Sequence, residues 1–275
     1  MNDKTLNIAA VQYDIQWLDK AANFAKLESM IRDFFSGYDG QVDLLLLPET
    51  FSTGFCLDDA SVKEPEDGGE DLLWLKKMAN KYNCVVAGSV FVEHHDKKAN
   101  RFYWVSPEDH VKYYDKRHLF RLGNEGGYVA QGMERKVFEI KGIRILPQVC
   151  YDLRFPVFQR NVIQRNVTSK DRSDYDVMVN VANWPAVRRN VWDTLLKARA
   201  MENQAYVIGV NRVGDDGKGV AHSGGTCVID FKGEPLVQAE DDKQQVISWS
   251  LDMSALVQFK KDFPAYLDAD DFKLK

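Results

Sequence analysis

Several stretches of this sequence are apolar at nearly every position rather than at every second one. Examples are VDLLLL at residues 42–47 and CVVAGSVFV at residues 84–92. A strand with one face in water alternates apolar and polar residues, whereas a strand that is buried on both faces need not alternate. Such strands require other layers above and below them. The sequence therefore predicts an α/β fold in which sheets lie inside and helices cover them.

The order of the predicted elements indicates two packed sheets. Strands and helices alternate twice in each half of the chain, with strand pairs between them. This order predicts a four-layer α-β-β-α sandwich of two mixed β-sheets flanked by helices. The predicted helices cover residues 21–35, 71–82 and 188–204, with a short one at 158–167, and the predicted strands cover residues 6–13, 42–47, 84–92, 101–105, 111–114, 136–140, 143–149, 175–181, 205–213, 225–231 and 245–251.

Length and charge limit the class of protein. The 275 residues contain no separator rich in Pro, Gly or Ser, so a single domain is expected, with its core at about 6–251 and a tail at 254–275. The net charge of −5 and the lack of a basic block argue against nucleic acid and membrane surfaces as partners. The first predicted strand starts at about Leu6, which leaves no room for a signal peptide, and no apolar run approaches ~18 residues. We therefore expect a cytoplasmic protein.

The cysteines are not spaced as disulfide partners or zinc ligands. Cys56, Cys84, Cys150 and Cys227 include no C-x-x-C pair and have no histidine at a zinc-like spacing. Cys84 and Cys227 lie in strand-like runs and are expected to be small buried hydrophobes. This usage is typical of a reducing compartment, and we expect neither a metal nor a cofactor. Cys150 differs from the others because it directly follows a predicted strand.

Three residues of reactive type follow predicted strands. Glu49 comes after VDLLLL-Pro, Lys116 after VKYY-Asp and Cys150 after IRILPQV. In α/β folds the carboxyl ends of strands are where ligands bind, and loops there hold reactive groups on a rigid frame. A carboxylate at the end of a buried strand is costly unless it is paired. We expect the three side chains to converge on one pocket.

This combination of side chains is suited to acyl transfer. A thiol with a pKa of ~8.5 is a poor nucleophile at neutral pH until a base or a cation favours the thiolate. A carboxylate within hydrogen-bonding reach can take the thiol proton and later activate water. An ammonium group can stabilise the oxyanion of the tetrahedral intermediate, together with the backbone N–H of Tyr151, which follows the cysteine.

Short motifs around these residues carry a family resemblance. PETF at residues 48–51, DKRHLF at 115–120 and CYDLRFP at 150–156 resemble the three signatures of the nitrilase, or carbon–nitrogen hydrolase, superfamily, in the family's order and at its usual separations. NWP at 183–185 and KARAMEN at 197–203 extend the resemblance. It spans most of the chain and implies the sandwich fold predicted above.

The resemblance also implies roles for individual residues. Glu49 would be the general base, Lys116 the cation that stabilises the oxyanion, and Cys150 the nucleophile. The superfamily often has a second glutamate near the site. Glu125 is the better-placed candidate in this sequence, and Glu134 is the alternative.

Within the superfamily the chain is most similar to the omega-amidases. That similarity implies cofactor-free hydrolysis of 2-oxoglutaramate and 2-oxosuccinamate, through a cysteine thioester, to a 2-oxo dicarboxylate and ammonia. It also implies a homodimer, the commonest symmetric assembly in any case. Two alternatives are another amide of the superfamily, such as deaminated glutathione or an N-carbamoyl amino acid, and a catalytically silent scaffold or metabolite-binding protein.

Substrates of this kind carry a carboxylate remote from the amide. A buried guanidinium would bind it well, because the planar fork of arginine fits a carboxylate bidentately. Arg154 and Arg117 are both candidates for this contact. Tyr151 and Trp184 are expected to form apolar walls of the substrate site, and Asn183 beside them is expected to bind the substrate.

Residues near the motifs have two further possible roles. Asp152 and Arg154 could pair with each other and hold the cysteine loop. His118 could act as a histidine partner of Cys150, but an apolar Leu-Phe follows it and Glu49 is the better base.

Overall fold

Two six-stranded β-sheets form the centre of the protein in the computed structural model, which describes residues 5–161, 163–164 and 172–270. The helices of this described part are α1 (Lys20–Ser36), α2 (Glu70–Tyr82), α3 (Glu125–Tyr128), α4 (Pro156–Gln159), α5 (Arg189–Asn203) and α6 (Met253–Asp262). Its strands are β1 (Thr5–Gln12), β2 (Leu44–Leu46), β3 (Val85–His94), β4 (Lys97–Val105), β5 (Val111–Asp115), β6 (Phe138–Ile140), β7 (Ile143–Val149), β8 (Ile163–Gln164), β9 (Arg172–Ser173), β10 (Val177–Ala182), β11 (Tyr206–Asn211), β12 (Val213–Asp215), β13 (Ala221–Ser223), β14 (Cys227–Ile229), β15 (Pro235–Gln238) and β16 (Gln245–Asp252).

Both sheets are mixed and have the same plan. The first has the strand order β16-β1-β2-β3-β4-β5, and its parallel centre consists of β1, β2 and β3. The second has the order β15-β14-β11-β10-β7-β6, and its parallel centre consists of β7, β10 and β11. Antiparallel strands complete the edges of both sheets. The carboxyl ends of the parallel strands therefore gather at one edge of each sheet.

The absence of alternation in the strands follows from burial on both faces. Leu44 and Leu46 of β2 point into the core between the two sheets, whereas Leu45 and Leu47 point into the core beneath α1 and α2. On the far side of the second sheet, Trp192 of α5 packs into a third core. These cores confirm the predicted α-β-β-α sandwich, and α1, α2 and α5 confirm its three long helices.

The predicted short helix at residues 158–167 is wrong. Helix α4 ends at Gln159, and the chain continues to β8, which pairs with β9; residues 162 and 165–167 of the prediction lie outside the described residues. Asn161 explains the early end of α4. Its backbone N–H donates to Asn203 Oδ1 at 2.9 Å, and its side chain donates to the Tyr175 carbonyl at 3.0 Å. Such side-chain bonds compete with helix continuation.

The tail that follows the predicted core packs onto the sandwich. Asp252 directly precedes helix α6, and its side chain accepts hydrogen bonds from the N–H groups of Ser254 and Ala255. This is N-terminal capping, which satisfies N–H groups that have no partner within the helix. Met253 and Leu256 of α6 join the core between the sheets. No helix within residues 5–161 or 172–270 is long and apolar enough to cross a membrane.

Candidate active site

Four polar side chains at the carboxyl ends of strands surround one cavity. Glu49 lies just beyond β2, Lys116 directly follows β5, Cys150 directly follows β7 and Asn183 directly follows β10. All four line a cavity of about 230 Å³. The first two belong to the first sheet and the other two to the second. The site therefore lies where the edges of the two sheets meet.

The ammonium group of Lys116 lies between two buried carboxylates. Its Nζ donates to Glu49 Oε1 at 3.0 Å and to both carboxylate oxygens of Glu125 at 3.0 Å. The three side chains are fully buried. Burial by itself would lower the pKa of Lys116, but the charges of Glu125 and then Glu49 outweigh it and raise that pKa. Lys116 is thus held as a permanent cation.

The Glu49 carboxylate is fixed in one orientation. Oε1 accepts from Asn100 Nδ2 at 2.8 Å as well as from Lys116, and Oε2 accepts from the backbone N–H of Asn183 at 2.8 Å. The Asn183 side chain donates in turn to the backbone carbonyl of Glu49 at 2.6 Å. Asn183, predicted to contact substrate, therefore also joins the two sheets directly at the carboxylate.

Glu125 is positioned by the loop that precedes it. Its Oε2 accepts from the backbone N–H of Phe120 at 2.6 Å, which closes the loop over Lys116. Burial raises the pKa of Glu125, and the Lys116 charge opposes that rise. Glu134, the alternative, is exposed and pairs with Lys136 at 3.2 Å. Of the two glutamates, only Glu125 contacts the cluster.

Cys150 has an unusual backbone conformation. Its φ is +47°, in the left-handed region that non-glycine residues seldom occupy. Such conformations cost about 1–3 kcal/mol and concentrate at functional sites. Burial, and after it the charge of Glu49, raises the pKa of the Cys150 thiol well above its usual value, while the Lys116 charge lowers it. The resting thiol therefore keeps its proton beside the carboxylate.

Asp152 holds the turn that presents Cys150. Its carboxylate accepts from the backbone N–H of Val149 at 3.0 Å, from the Tyr114 hydroxyl at 2.8 Å and from the backbone N–H of His118 at 2.9 Å. The His118 ring contacts the same carboxylate at 2.8 Å and is not among the cavity residues. The predicted pairing of Asp152 with Arg154 is wrong, because both residues are described and they form no ion pair. The Asp152 carboxylate instead accepts the hydrogen bonds that hold the turn.

The two candidate arginines lie in different places. Arg154 lines the cavity, with its guanidinium over the Trp184 ring at 5.1 Å. Arg117 does not line it, and its guanidinium donates to the Gly132 carbonyl at 3.1 Å. Because Lys116 points inward, its neighbour Arg117 is directed to the other side of the segment. The position of Arg117 therefore does not support the prediction that it contacts substrate. Tyr151 and Trp184 line the cavity, as expected.

Sequence reasoning missed one wall of the cavity. This wall contains Arg188, the segment joining β12 to β13, which contributes Asp216, Lys218 and Val220, and His222 of β13. Arg188 could have been found, because two adjacent arginines at the start of a helix oppose the helix dipole and call for an explanation. The β12–β13 segment carries no comparable local signal.

The fold and the cavity define an α-β-β-α sandwich whose sheet edges hold a glutamate, a lysine and a cysteine together. The family model described as "Carbon-nitrogen hydrolase" matches residues 7–261, and the chain belongs to that family. It is an enzyme that hydrolyses carbon–nitrogen bonds of amides.

Named relatives are similar over nearly the whole chain. The chain is 41% identical to the protein named omega-amidase YafV of Yersinia enterocolitica, covering 98% of this chain and 99% of that one. It is 32% identical to the 2-oxoglutaramate amidase of Bacillus subtilis, covering 95% and 96%. The crystal structure of XC1258 from Xanthomonas campestris, a CN-hydrolase superfamily protein with an arsenic adduct in its active site, matches with a TM-score of 0.92 at 41% identity, covering 99% of this chain and all of that chain.

Replacing Lys116 by methionine is expected to destabilise the protein strongly. The change leaves Glu49 and Glu125 buried side by side without their cation, and breaking a buried ion pair from one side typically costs about 3–5 kcal/mol. Urea unfolding measures the change in free energy of unfolding. Lys63→Met is the control, because its partner Glu93 is exposed and such pairs contribute about 0–1 kcal/mol. Equal losses in the two variants would contradict the prediction.

Proposed function

We propose that this enzyme is an omega-amidase, which hydrolyses the side-chain amide of 2-oxoglutaramate and 2-oxosuccinamate to a 2-oxo dicarboxylate and ammonia. The main observation is that Glu49, Lys116 and Cys150 share one cavity with the guanidinium of Arg154, which has no ion-pair partner within the described part of the chain. The relatives named omega-amidase and 2-oxoglutaramate amidase support the same activity.

In the first half-reaction Cys150 is the nucleophile. Glu49 takes the thiol proton while Sγ forms a bond to the amide carbon, because the raised pKa of the thiol requires a base at the moment of attack. Lys116 and the backbone N–H of Tyr151 stabilise the oxyanion. The intermediate collapses, the C–N bond breaks, and Glu49 passes its proton to the leaving nitrogen. Ammonia departs and a thioester remains.

In the second half-reaction water replaces the nitrogen. Glu49 takes a proton from water as its oxygen attacks the thioester carbon, and the same donors stabilise the second oxyanion. The C–S bond then breaks to release the carboxylic acid, and Glu49 returns the proton to the sulfur. Glu125 has a positioning role in both steps, since it holds Lys116 and the loop at Phe120.

The rest of the cavity suits a small substrate with a carboxylate. Arg154 binds that carboxylate, and Trp184 and Tyr151 form apolar walls. A volume of about 230 Å³ fits a short acyl chain better than a tripeptide-sized one. The activity needs no cofactor, because acid–base and nucleophilic groups come from the chain. We further propose a cytoplasmic homodimer, since closed twofold assemblies are the commonest oligomers.

A panel of amides tests the proposal. We expect kcat/KM for ammonia release from 2-oxoglutaramate and 2-oxosuccinamate to exceed that for an N-carbamoyl amino acid or deaminated glutathione by about 100-fold or more, because substrates that leave polar groups of a site unpaired are rejected strongly. A preference for either of the latter two would replace the proposed substrate within the same family. If the protein hydrolyses none of these amides, the alternative of a catalytically silent binding protein is favoured.

A further inference from the structure

A second guanidinium, that of Arg188, faces the same cavity as Arg154. Arg188 lines the cavity, and its guanidinium lies over the Phe120 ring at 5.4 Å. Among the described residues neither guanidinium has a hydrogen bond or an ion pair with a protein acceptor. By contrast, the adjacent Arg189, which is not a cavity residue, pairs with Asp193 at 2.8 Å and with Asp241 at 2.7 Å.

Stacking on aromatic rings leaves both arginines ready to bind an anion. A contact between a guanidinium and an aromatic ring takes up no N–H donor in a hydrogen bond to an acceptor atom, and within the described part of the chain no protein acceptor takes one from Arg154 or Arg188. Trp184 also links the two arginines. Its ring carries Arg154, and its indole N–H donates to the backbone carbonyl of Arg188 at 2.8 Å. Trp184 therefore contacts the guanidinium of Arg154 and the backbone of Arg188.

Among the described residues, no other charged group of the cavity forms an ion pair with these cations. Asp216 accepts from the backbone N–H groups of Lys218 and Val220, at 2.8 and 2.9 Å, and so caps its own turn. Lys218 is a further cation, paired with Asp58. Burial lowers the pKa of His222 to about 4, so this residue is neutral near pH 7. At the inner end, Glu49 is already paired with Lys116.

We propose that Arg188 and Arg154 form a two-guanidinium clamp that binds the carboxylate and adjacent 2-oxo oxygen of the substrate, and that Arg188 is a specificity-determining residue. The clamp selects 2-oxo acid amides over α-amino acid amides such as glutamine, because the α-ammonium of an amino acid would meet two cations. This inference rests on the proposed function and adds the basis of its selectivity.

The clamp also makes the site selective for substrates of one chain length. Asn183 holds the base Glu49, and Arg188 lies five positions further along the same segment, with its backbone N–H bonded to the Pro185 carbonyl at 3.0 Å. One short, hydrogen-bonded segment therefore sets the separation between the reacting amide and the bound carboxylate. Preorganisation of this kind fixes the reacting amide in place.

The test is the ratio of kcat/KM for 2-oxoglutaramate to kcat/KM for pentanamide, a neutral amide of the same chain length. We expect Arg188→Gln to lower this ratio by about 100-fold, as for removal of one partner of a buried charged contact. Arg188→Lys should have a ratio between those of Arg188→Gln and the wild type, because lysine keeps the positive charge but lacks the bidentate donors of the guanidinium. Arg189→Gln is the matched control and should leave the ratio within about twofold. The ratio does not depend on the fraction of folded enzyme.

Two further measurements complete the test. Arg188→Gln should narrow the preference for 2-oxoglutaramate over glutamine by about 10-fold or more, and it should weaken the protection of Cys150 from iodoacetamide by 2-oxoglutarate. The clamp would be overturned if Arg188→Gln matched the wild type in all three measurements: the kcat/KM ratio of 2-oxoglutaramate to pentanamide, the preference for 2-oxoglutaramate over glutamine, and the protection of Cys150 by 2-oxoglutarate. Wild-type enzyme that fails to hydrolyse 2-oxoglutaramate would refute the proposed function instead, and protection dependent on Arg188 would then still support the clamp.

Discussion

Cys150→Ala is expected to abolish ammonia release from 2-oxoglutaramate, with kcat at least about 10⁵-fold lower than in the wild type. Without the sulfur no thioester forms, and direct attack of water has to replace two easier steps. The variant should remain folded, because the change removes one atom at the cavity and alters no buried hydrogen-bonding pair of the turn that Asp152 holds. Coupled detection of ammonia measures the loss, and circular dichroism checks the fold.

Cys227→Ala is the matched control for this variant. It also removes a thiol, but Cys227 lies buried in β14 and is not a cavity residue. We expect it to cost some stability and to leave kcat within about threefold of the wild type, since core truncation acts on stability. Hydrolysis by Cys150→Ala within tenfold of the wild type, or equal losses in both variants, would remove Cys150 from the proposed mechanism.

Glu49→Gln is expected to lower kcat by about 10³-fold or more while it lowers the pKa of the Cys150 thiol. After burial, the Glu49 charge is the largest influence that raises this pKa, so a neutral amide leaves the Lys116 charge less opposed and favours the thiolate. General-base catalysis contributes about 10²–10⁴-fold, and Glu49 acts in both half-reactions. The variant would therefore hold more thiolate at neutral pH and still be slow. Iodoacetamide alkylation of Cys150 against pH measures the pKa.

Two comparisons separate this role of Glu49 from a structural one. The double variant Glu49→Gln/Cys150→Ala should be no slower than Cys150→Ala alone, because residues that act as a unit are not additive. Glu134→Gln, which neutralises an exposed carboxylate, should leave both kcat and the thiol pKa unchanged. A higher thiol pKa in Glu49→Gln, or a kcat within tenfold of the wild type, would contradict the assignment of Glu49 as the base.

The positions of the reactive residues were predictable because each is tied to a local pattern. Glu49, Lys116 and Cys150 each follow a strand-like run, and strand ends in an α/β fold gather at one edge. The second glutamate was predictable only as a pair of candidates. The structure brings Glu125 to Lys116 and leaves Glu134 in solvent, a difference that depends on how the loop from Phe120 closes.

The partners of these residues could not be predicted in the same way. The backbone N–H that orients Glu49 belongs to Asn183, 134 positions later in the chain, and the two arrive together only when the sheets pack. The end of α4 at Gln159 has a similar cause, because Asn161 bonds to Asn203 on α5. Helical spacing in one segment carries no information about such distant acceptors.

Local patterns were enough to establish the layers of the fold and the edge on which the chemistry lies, because burial on both faces of a strand and the position of its end are written in neighbouring residues. Tertiary packing decided which arginines face the cavity, directing Arg117 away and bringing Arg188 beside Arg154. It also brought the β12–β13 segment to the cavity wall. The direction of a side chain depends on contacts with elements distant in sequence, and those contacts exist only in the folded protein.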